Sequence, residues 1–145
     1  MRRKEGMMNK AEILDFLNSN PVCHFATIDG DQPRVRGMLM YRADENGILF
    51  HTGSFKDLYK QIQQNPNVEL CFSSADSSKQ VRVSGKAEFI EDQSLKEEIV
   101  NKRSFLKPWV EEQGYDMLKV LRVTNCTATV WTMETNFEPK KYVQL

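Results

Sequence analysis

Ile48-Leu49-Phe50-His51-Thr52-Gly53-Ser54-Phe55-Lys56-Asp57-Leu58-Tyr59-Lys60-Gln61-Ile62 changes its period partway along, and that change decides the fold reading. Up to Thr52 the stretch is rich in β-formers and reads as a strand. From Phe55 the apolar residues Phe55, Leu58, Tyr59 and Ile62 recur at helical spacing until Asn65-Pro66 stops them. A strand therefore turns tightly into a short helix. Upstream, Val22 to Ile28 and Arg34 to Arg42 read as strands, joined by Asp29-Gly30-Asp31-Gln32-Pro33. With Ile48 to Thr52 they read as a meander of hairpins. Downstream lie Val68 to Ser73, a long strand Gln80 to Glu91, and two last strands, Met117 to Val123 and Thr127 to Met133. Gly85, inside the long strand, predicts a bulge or a close backbone approach.

Helices punctuate these strands. Asn9 and Glu12 have capping-box spacing ahead of Ile13, Leu14, Phe16 and Leu17. Ser94 to Arg103 reads as a second amphipathic helix, with Leu95, Ile99 and Val100 inward, and Pro108-Trp109 to Gln113 as a short helical turn. Six or seven strands with two or three helices between them argue against a parallel βαβ sheet. They predict a mainly β (α+β) antiparallel barrel of Greek-key or meander type.

The chain has 145 residues and is 40% hydrophobic, enough for one domain with a real core, taken as 9–145 after a flexible tail of residues 1–8. Twenty basic residues balance twenty acidic ones, without the basic excess of a dedicated nucleic-acid binder. The first residues are polar and lead into no apolar run, so they do not read as a signal peptide. No stretch reaches the ~20 apolar residues of a membrane span. Cys23, Cys71 and Cys126 are odd in number, form no CxxC pair and sit in apolar or β-branched stretches. They read as reduced thiols in a cytoplasmic protein rather than a disulfide frame or a zinc site.

Two segments could carry chemistry. In Arg34-Val35-Arg36-Gly37-Met38-Leu39-Met40-Tyr41, strand alternation puts Arg34, Arg36, Met38 and Met40 on one face. A guanidinium can fork onto a phosphate while neighbouring apolar atoms pack on a flat ring. From this segment alone, an edge strand with solvated arginines is the favoured reading. In His51-Thr52-Gly53-Ser54-Phe55-Lys56, hydroxyls, an ammonium and the free N–H groups of a helix start form an anion site. A Ser-capped helix with a solvated lysine explains that segment equally well. His24 and His51 read as satisfied strand residues with no third metal ligand. Trp109 and Trp131 read as core or interface, with Trp131 a further candidate stacking surface.

Taken together, these segments resemble the pyridoxamine 5′-phosphate oxidase-like FMN-binding split barrels. Their general-stress-protein and nitroimidazole-resistance-related branches are the most similar. The resemblance runs from Val22 to Ile90 and weakly to Trp131. It rests on Arg36-Gly37-Met38-Leu39-Met40-Tyr41, on Phe50-His51-Thr52 with Lys56 and Gln64-Asn65-Pro66-Asn67-Val68, and on Lys79 to Glu88. It implies a six-stranded split barrel that dimerises, with FMN in the cleft between two subunits. It further implies cofactor contacts from Arg36, Gly37, Met38, Leu39, His51, Thr52, Ser54, Lys56, Gln80 and Trp131. Arg36, Thr52, Ser54 and Lys56 fall on the phosphate and ribityl side, and Met38, Leu39 and Gln80 on the ring side. A dimer interface would also account for the Met38 and Met40 stripe.

Two features depart from the oxidase. Lys56-Asp57 stands where it has a paired Arg-Lys, and the end Phe137 to Leu145 lacks its substrate-gripping Arg-Leu motif. Vitamin B6 oxidation is therefore not expected. The expectation is an FMN-dependent oxidoreductase of unknown small-molecule substrate, with no side chain standing out as a catalytic acid or base. The alternatives are a non-catalytic flavin-binding stress module, or a related barrel that binds F420 or haem. Haem would need His24 or His51 as its axial ligand.

Overall fold

The computed structural model describes residues 7–145. Helix α1 (Lys10–Ser19) opens with the expected reciprocal cap: the Glu12 N–H donates to the Asn9 side chain at 2.9 Å, and the Asn9 N–H to Glu12 at 3.2 Å. Its Ile13 and Leu17 are fully buried. There follow β1 (Val22–Asp29), β2 (Gln32–Leu39), β3 (Arg42–Asp44), β4 (Gly47–Gly53), α2 (Asp57–Gln64), β5 (Asn67–Ser73) and β6 (Lys79–Ile90). Helices α3 (Gln93–Lys102) and α4 (Lys107–Gln113) lead to β7 (Leu118–Thr132) and β8 (Tyr142–Gln144). The eight strands form one antiparallel sheet in the order β2-β1-β5-β6-β7-β4-β3, with β8 on β7.

The class agrees with the sequence reading, but three details differ. The strand count is eight rather than six, because β3 and β8 have three residues each, too few to show a period. The first three strands do not form a meander. β1 and β2 make a hairpin, but β4 pairs with β7 and β3. The two predicted last strands are one continuous β7. Asn125 adopts a left-handed φ of 53°, which Asn tolerates, so Thr124-Asn125 bends the strand instead of ending it. Opposite that bend the register slips between Ser84 and Lys86. A Cβ on Gly85 would lie 2.7 Å from Val123 and 2.8 Å from the Thr124 carbonyl, so both expectations for Gly85 hold.

Just after β2 the sheet's two ends meet. The Met40 N–H donates to the Pro21 carbonyl beside β1, and the Tyr41 N–H to the Leu49 carbonyl of β4, both at 2.8 Å. Further along, β2 and β4 are not paired, and α2 packs against β1 and β4. Met40 is 1% exposed and Met38 packs against the same core. The chain's own core thus accounts for Met40 and for the buried part of Met38. The main core fills the barrel, with Phe25 and Phe50 edge to face at 5.0 Å. A second core joins α3 to Leu49, Leu118 and Val120. The cysteines are free, and burial pushes the Cys23 thiol up to about 12. No described helix is long and apolar enough to cross a membrane.

Candidate functional site

Where β2 and β4 part, the chain leaves a cleft of about 670 Å³. One wall is the Arg36–Leu39 end of β2, another the His51–Gly53 end of β4 with the start of α2. The third is the segment between α3 and β7, including Phe105, Trp109 and Met117. Seven of the sequence-predicted residues come together here: Arg36, Gly37, Met38, Leu39, His51, Thr52 and Lys56. Ser54, Gln80 and Trp131 do not line the cleft. Gln80 and Trp131 face each other across β6 and β7, and the Trp131 indole N–H donates to Asn136 at 2.8 Å. Thr52 pairs with Lys119 at the opposite end of β7. Trp131 lies twelve positions further along β7, beyond the bend at Thr124-Asn125.

At the anion end, Thr52 is 8% exposed, and its hydroxyl has no hydrogen-bond partner among the described residues. Because no fully buried side-chain N or O among them is left unpaired, that hydroxyl keeps some exposed surface, and Thr52 is one of the residues that line the cleft. Beside it, the N-cap of α2 is Lys56, which makes no side-chain cap. Ser54 therefore does not cap this helix; the Lys56 and Tyr59 N–H groups donate to the Gly53 and Lys56 carbonyls, and those of Asp57 and Leu58 are left for a ligand or water. Arg36 is half-buried and turned inward. It donates to Thr27 Oγ1 at 2.8 Å, to Gln61 Oε1 at 2.7 Å and to the Phe25 carbonyl at 3.3 Å. Desolvation lowers its pKa and Asp57 raises it, while a guanidinium remains charged in either case. Three of its five N–H donors are engaged, leaving two for a ligand. Among the described lining residues Asp57 is the carboxylate, and it opposes an anion here.

His51 shows a different arrangement. The Arg103 guanidinium lies 2.8 Å from His51 Nε2 and also donates to the Leu39 carbonyl at 3.2 Å and the Met40 carbonyl at 2.6 Å. A guanidinium only donates, so Nε2 must accept and the neutral ring carries its proton on Nδ1. Burial first, then Arg103 and Lys56, push the imidazole pKa down to about 4. Of the two histidines that could serve as a haem ligand, His51 therefore has its Nε2 engaged by a cation.

The third wall is aromatic. The Phe105 ring lies 6.4 Å from His51, and the Trp109 ring 6.1 Å from Phe55. A buried lysine, Lys96, fixes this segment. Its ammonium donates to the Tyr115 carbonyl at 3.1 Å and pairs with Glu91 at 3.0 Å.

Sequence reasoning missed Arg103, Phe105, Gln61 and Asp57 as parts of the site. Arg103 sits at a helix C-terminus, where a cation is explained by the helix dipole alone. Phe105 follows that helix in a short 3-10 turn with no period of its own. The spacing of Gln61 did carry a signal, four residues on from Asp57 and inside an apolar face.

The profile of the pyridoxamine 5′-phosphate oxidase family matches residues 10–132. A pyridoxine/pyridoxamine 5′-phosphate oxidase of Shewanella sediminis is 29% identical over 74% of this chain and 52% of its own. One from Escherichia coli is 42% identical over 43% of this chain and 29% of its own. The chain thus spans about half or less of the length of these curated relatives. Among solved structures, a NimC/NimA family protein from Clostridium acetobutylicum is 25% identical over 93% of this chain and 92% of that one, at TM-score 0.76. A pyridoxamine 5′-phosphate oxidase-related, FMN-binding protein from Nostoc punctiforme superposes at TM-score 0.62 over 92% of this chain and 87% of that one, with 16% identity. With a family profile matching nearly its whole length and the same fold in these relatives, the chain belongs to the pyridoxamine 5′-phosphate oxidase family.

Proposed function

We propose that this protein binds FMN in the cleft and acts as a flavin-dependent oxidoreductase on a small molecule. The observation that carries the reading is Thr52: nine-tenths buried, its hydroxyl unpartnered among the described residues, on the cleft lining beside Lys56 and an α2 N-terminus without a side-chain cap. A phosphate monoester would accept from all three and from Arg36. The apolar end of β2, Met38 and Leu39, would lie against the isoalloxazine. Gly37 leaves room there, since a Cβ on it would meet nothing closer than the Cys23 carbonyl at 4.0 Å. Bound FMN would supply the hydride or electron chemistry, and the chain anchors and orients it. The FMN-binding Nostoc relative supports the choice of cofactor.

The proposal extends to a cytoplasmic homodimer. Gln80 on β6 and Trp131 on β7 do not line the chain's own cleft, so a second copy would bring its own pair to the flavin ring. Fluorescence titration with FMN tests the reading. Wild-type protein is expected to quench flavin emission saturably, and Lys56→Ala to bind ~10-fold more weakly, the scale of one charge-assisted hydrogen bond. Absence of wild-type binding would sink the flavin reading. Light scattering at working concentration tests the dimer, and a monomer that still binds FMN tightly would remove the second copy from the site.

A further inference from the structure

We propose that Arg103 sets the reduction potential of the bound flavin: its charge, held without a counter-ion behind the Leu39 end of β2, favours the reduced ring over the oxidised one. This deepens the FMN reading and rests on it. Arg103 follows α3 and is half-buried. Its guanidinium donates to the Leu39 and Met40 carbonyls at 3.2 and 2.6 Å, lies 2.8 Å from His51 Nε2 and stands over the Tyr41 ring at 5.2 Å. All of these partners are uncharged. The imidazole is neutral, and burial and the bond to Glu98 push the Tyr41 phenol up to about 12. The carboxylate that Tyr41 holds, Glu98, is engaged elsewhere: it accepts from the Tyr41 hydroxyl at 2.6 Å and pairs with Arg42 at 3.3 Å. Among the described residues no carboxylate pairs with Arg103. Burial lowers its pKa and Tyr41 raises it, while the guanidinium stays charged.

A half-buried cation with only dipoles and rings for partners is incompletely compensated, and its field reaches past them. Leu39 and His51, which it holds, both line the cleft, so the charge stands one residue behind the wall where the isoalloxazine would lie. The flavin phosphate would engage Arg36 and Lys56 instead. Leu39 is three residues along β2 from Arg36, about 10 Å of strand. Two electrons from a reductant such as dithionite or a hydride donor, with one proton, turn the neutral oxidised ring into a reduced ring bearing one negative charge. A fixed cation in a partly desolvated wall stabilises that charge and does little for the oxidised ring.

Dithionite titration of FMN-loaded protein against a redox dye reads the midpoint potential, at about pH 8 so that a His51 released from Arg103 stays neutral. Wild-type protein is expected to hold reduced FMN more tightly than oxidised FMN, which puts its midpoint above that of free FMN. Arg103→Gln is expected to cut the ratio of reduced to oxidised affinity ~10-fold, a fall of ~30 mV for a two-electron couple. Arg103→Lys keeps the charge and loses the fork, so its midpoint should fall less than half as far. The Kd for oxidised FMN should stay within about threefold of wild type in both variants, because the oxidised ring is neutral. Three results overturn the assignment: a wild-type midpoint below that of free FMN, a midpoint that Arg103→Gln leaves unchanged, or an equal fall in both variants, which would give the effect to the hydrogen-bond fork instead of the charge. The first needs no variant, so an Arg103→Gln chain that fails to fold leaves the test standing. Wild-type protein that takes no FMN overturns the flavin reading itself, before any potential is measured.

Discussion

Thr52→Val separates a binding role from a structural one, because the structure predicts opposite signs for the two. The Thr52 hydroxyl makes no hydrogen bond among the described residues, although the residue is 8% exposed. Exchanging it for a methyl group removes no intramolecular bond, keeps the β-branched shape β4 prefers, and spares a polar atom its partial desolvation. The apo-protein should therefore lose nothing and gain up to ~1 kcal/mol, equivalent to a rise in Tm of about 2–4 °C for a chain of this size. Toward FMN the expectation reverses. A hydrogen bond to a charged acceptor contributes ~1.5–3 kcal/mol, and 1.4 kcal/mol is about tenfold in Kd. The variant should bind FMN roughly 10- to 100-fold more weakly, while riboflavin, which lacks the phosphate, should bind both proteins alike. Thermal melts of the apo-protein and parallel titrations with the two flavins give the four numbers needed. A fall in Tm of more than about 5 °C would show that the hydroxyl holds the fold. An FMN Kd within twofold of wild type would place the phosphate elsewhere and refute the reasoning.

Asp57 is the lining carboxylate at the anion end, so Asp57→Asn should tighten FMN binding about two- to fivefold, with the gain shrinking as salt rises; weaker binding would show that the carboxylate has a positive role there. Gly85→Ala should cost ~1–3 kcal/mol in urea unfolding, because its Cβ would meet Val123 and the Thr124 carbonyl below 3 Å; unchanged stability would mean the β6–β7 bulge yields freely. His51 tests the acid limb of stability. Its folded pKa, about 4, lies below the ordinary 6.5, so between those values the unfolded chain takes up a proton and the folded chain does not. Its contribution is complete above pH 6.5 and is lost as pH falls toward 4. Between pH 7 and 4.5 the wild type should lose ~1–3 kcal/mol more than His51→Phe in urea unfolding, and equal losses would show an imidazole that titrates freely.

Parts of this fold were legible because their signals are local. The Asn9–Glu12 cap, the Gly85 bulge and the strand-to-helix change after Thr52 each lie within a few residues of the atoms they organise. Seven of the ten proposed cofactor residues sit together in the structure because their two segments each carry a pattern of their own: alternation along β2, and a hydroxyl-rich turn before α2. The resemblance tied the two together before any contact between them could be inferred. Phe55 was misplaced for a related reason. Its helical spacing to Leu58 and Ile62 is real, but α2 begins at Asp57, so the ring stands outside the helix and 61% exposed.

What was hidden depends on long-range pairing. The meander failed because nothing in Arg34 to Arg42 says that the chain leaves the sheet at Met40, and a single pair of backbone bonds, to Pro21 and Leu49, decides it. The two-strand reading of Leu118–Thr132 failed because Asn125 is a turn-former by type. In place it is held within a strand by β6 on one side and by β4 as far as Val123. The same strand separates the site residues. Its register places Thr52, on β4, beside one end and Gln80, on β6, beside Trp131 at the other, and neither Gln80 nor Trp131 lines the cleft that Thr52 does. Arg103 is the clearest case. Its three hydrogen-bond partners, His51 and the carbonyls of Leu39 and Met40, lie more than fifty residues away, and two of them are backbone atoms without side-chain identity. A side chain that sets a histidine tautomer through such contacts leaves no pattern in the sequence, and only the folded chain shows which nitrogen is left to donate.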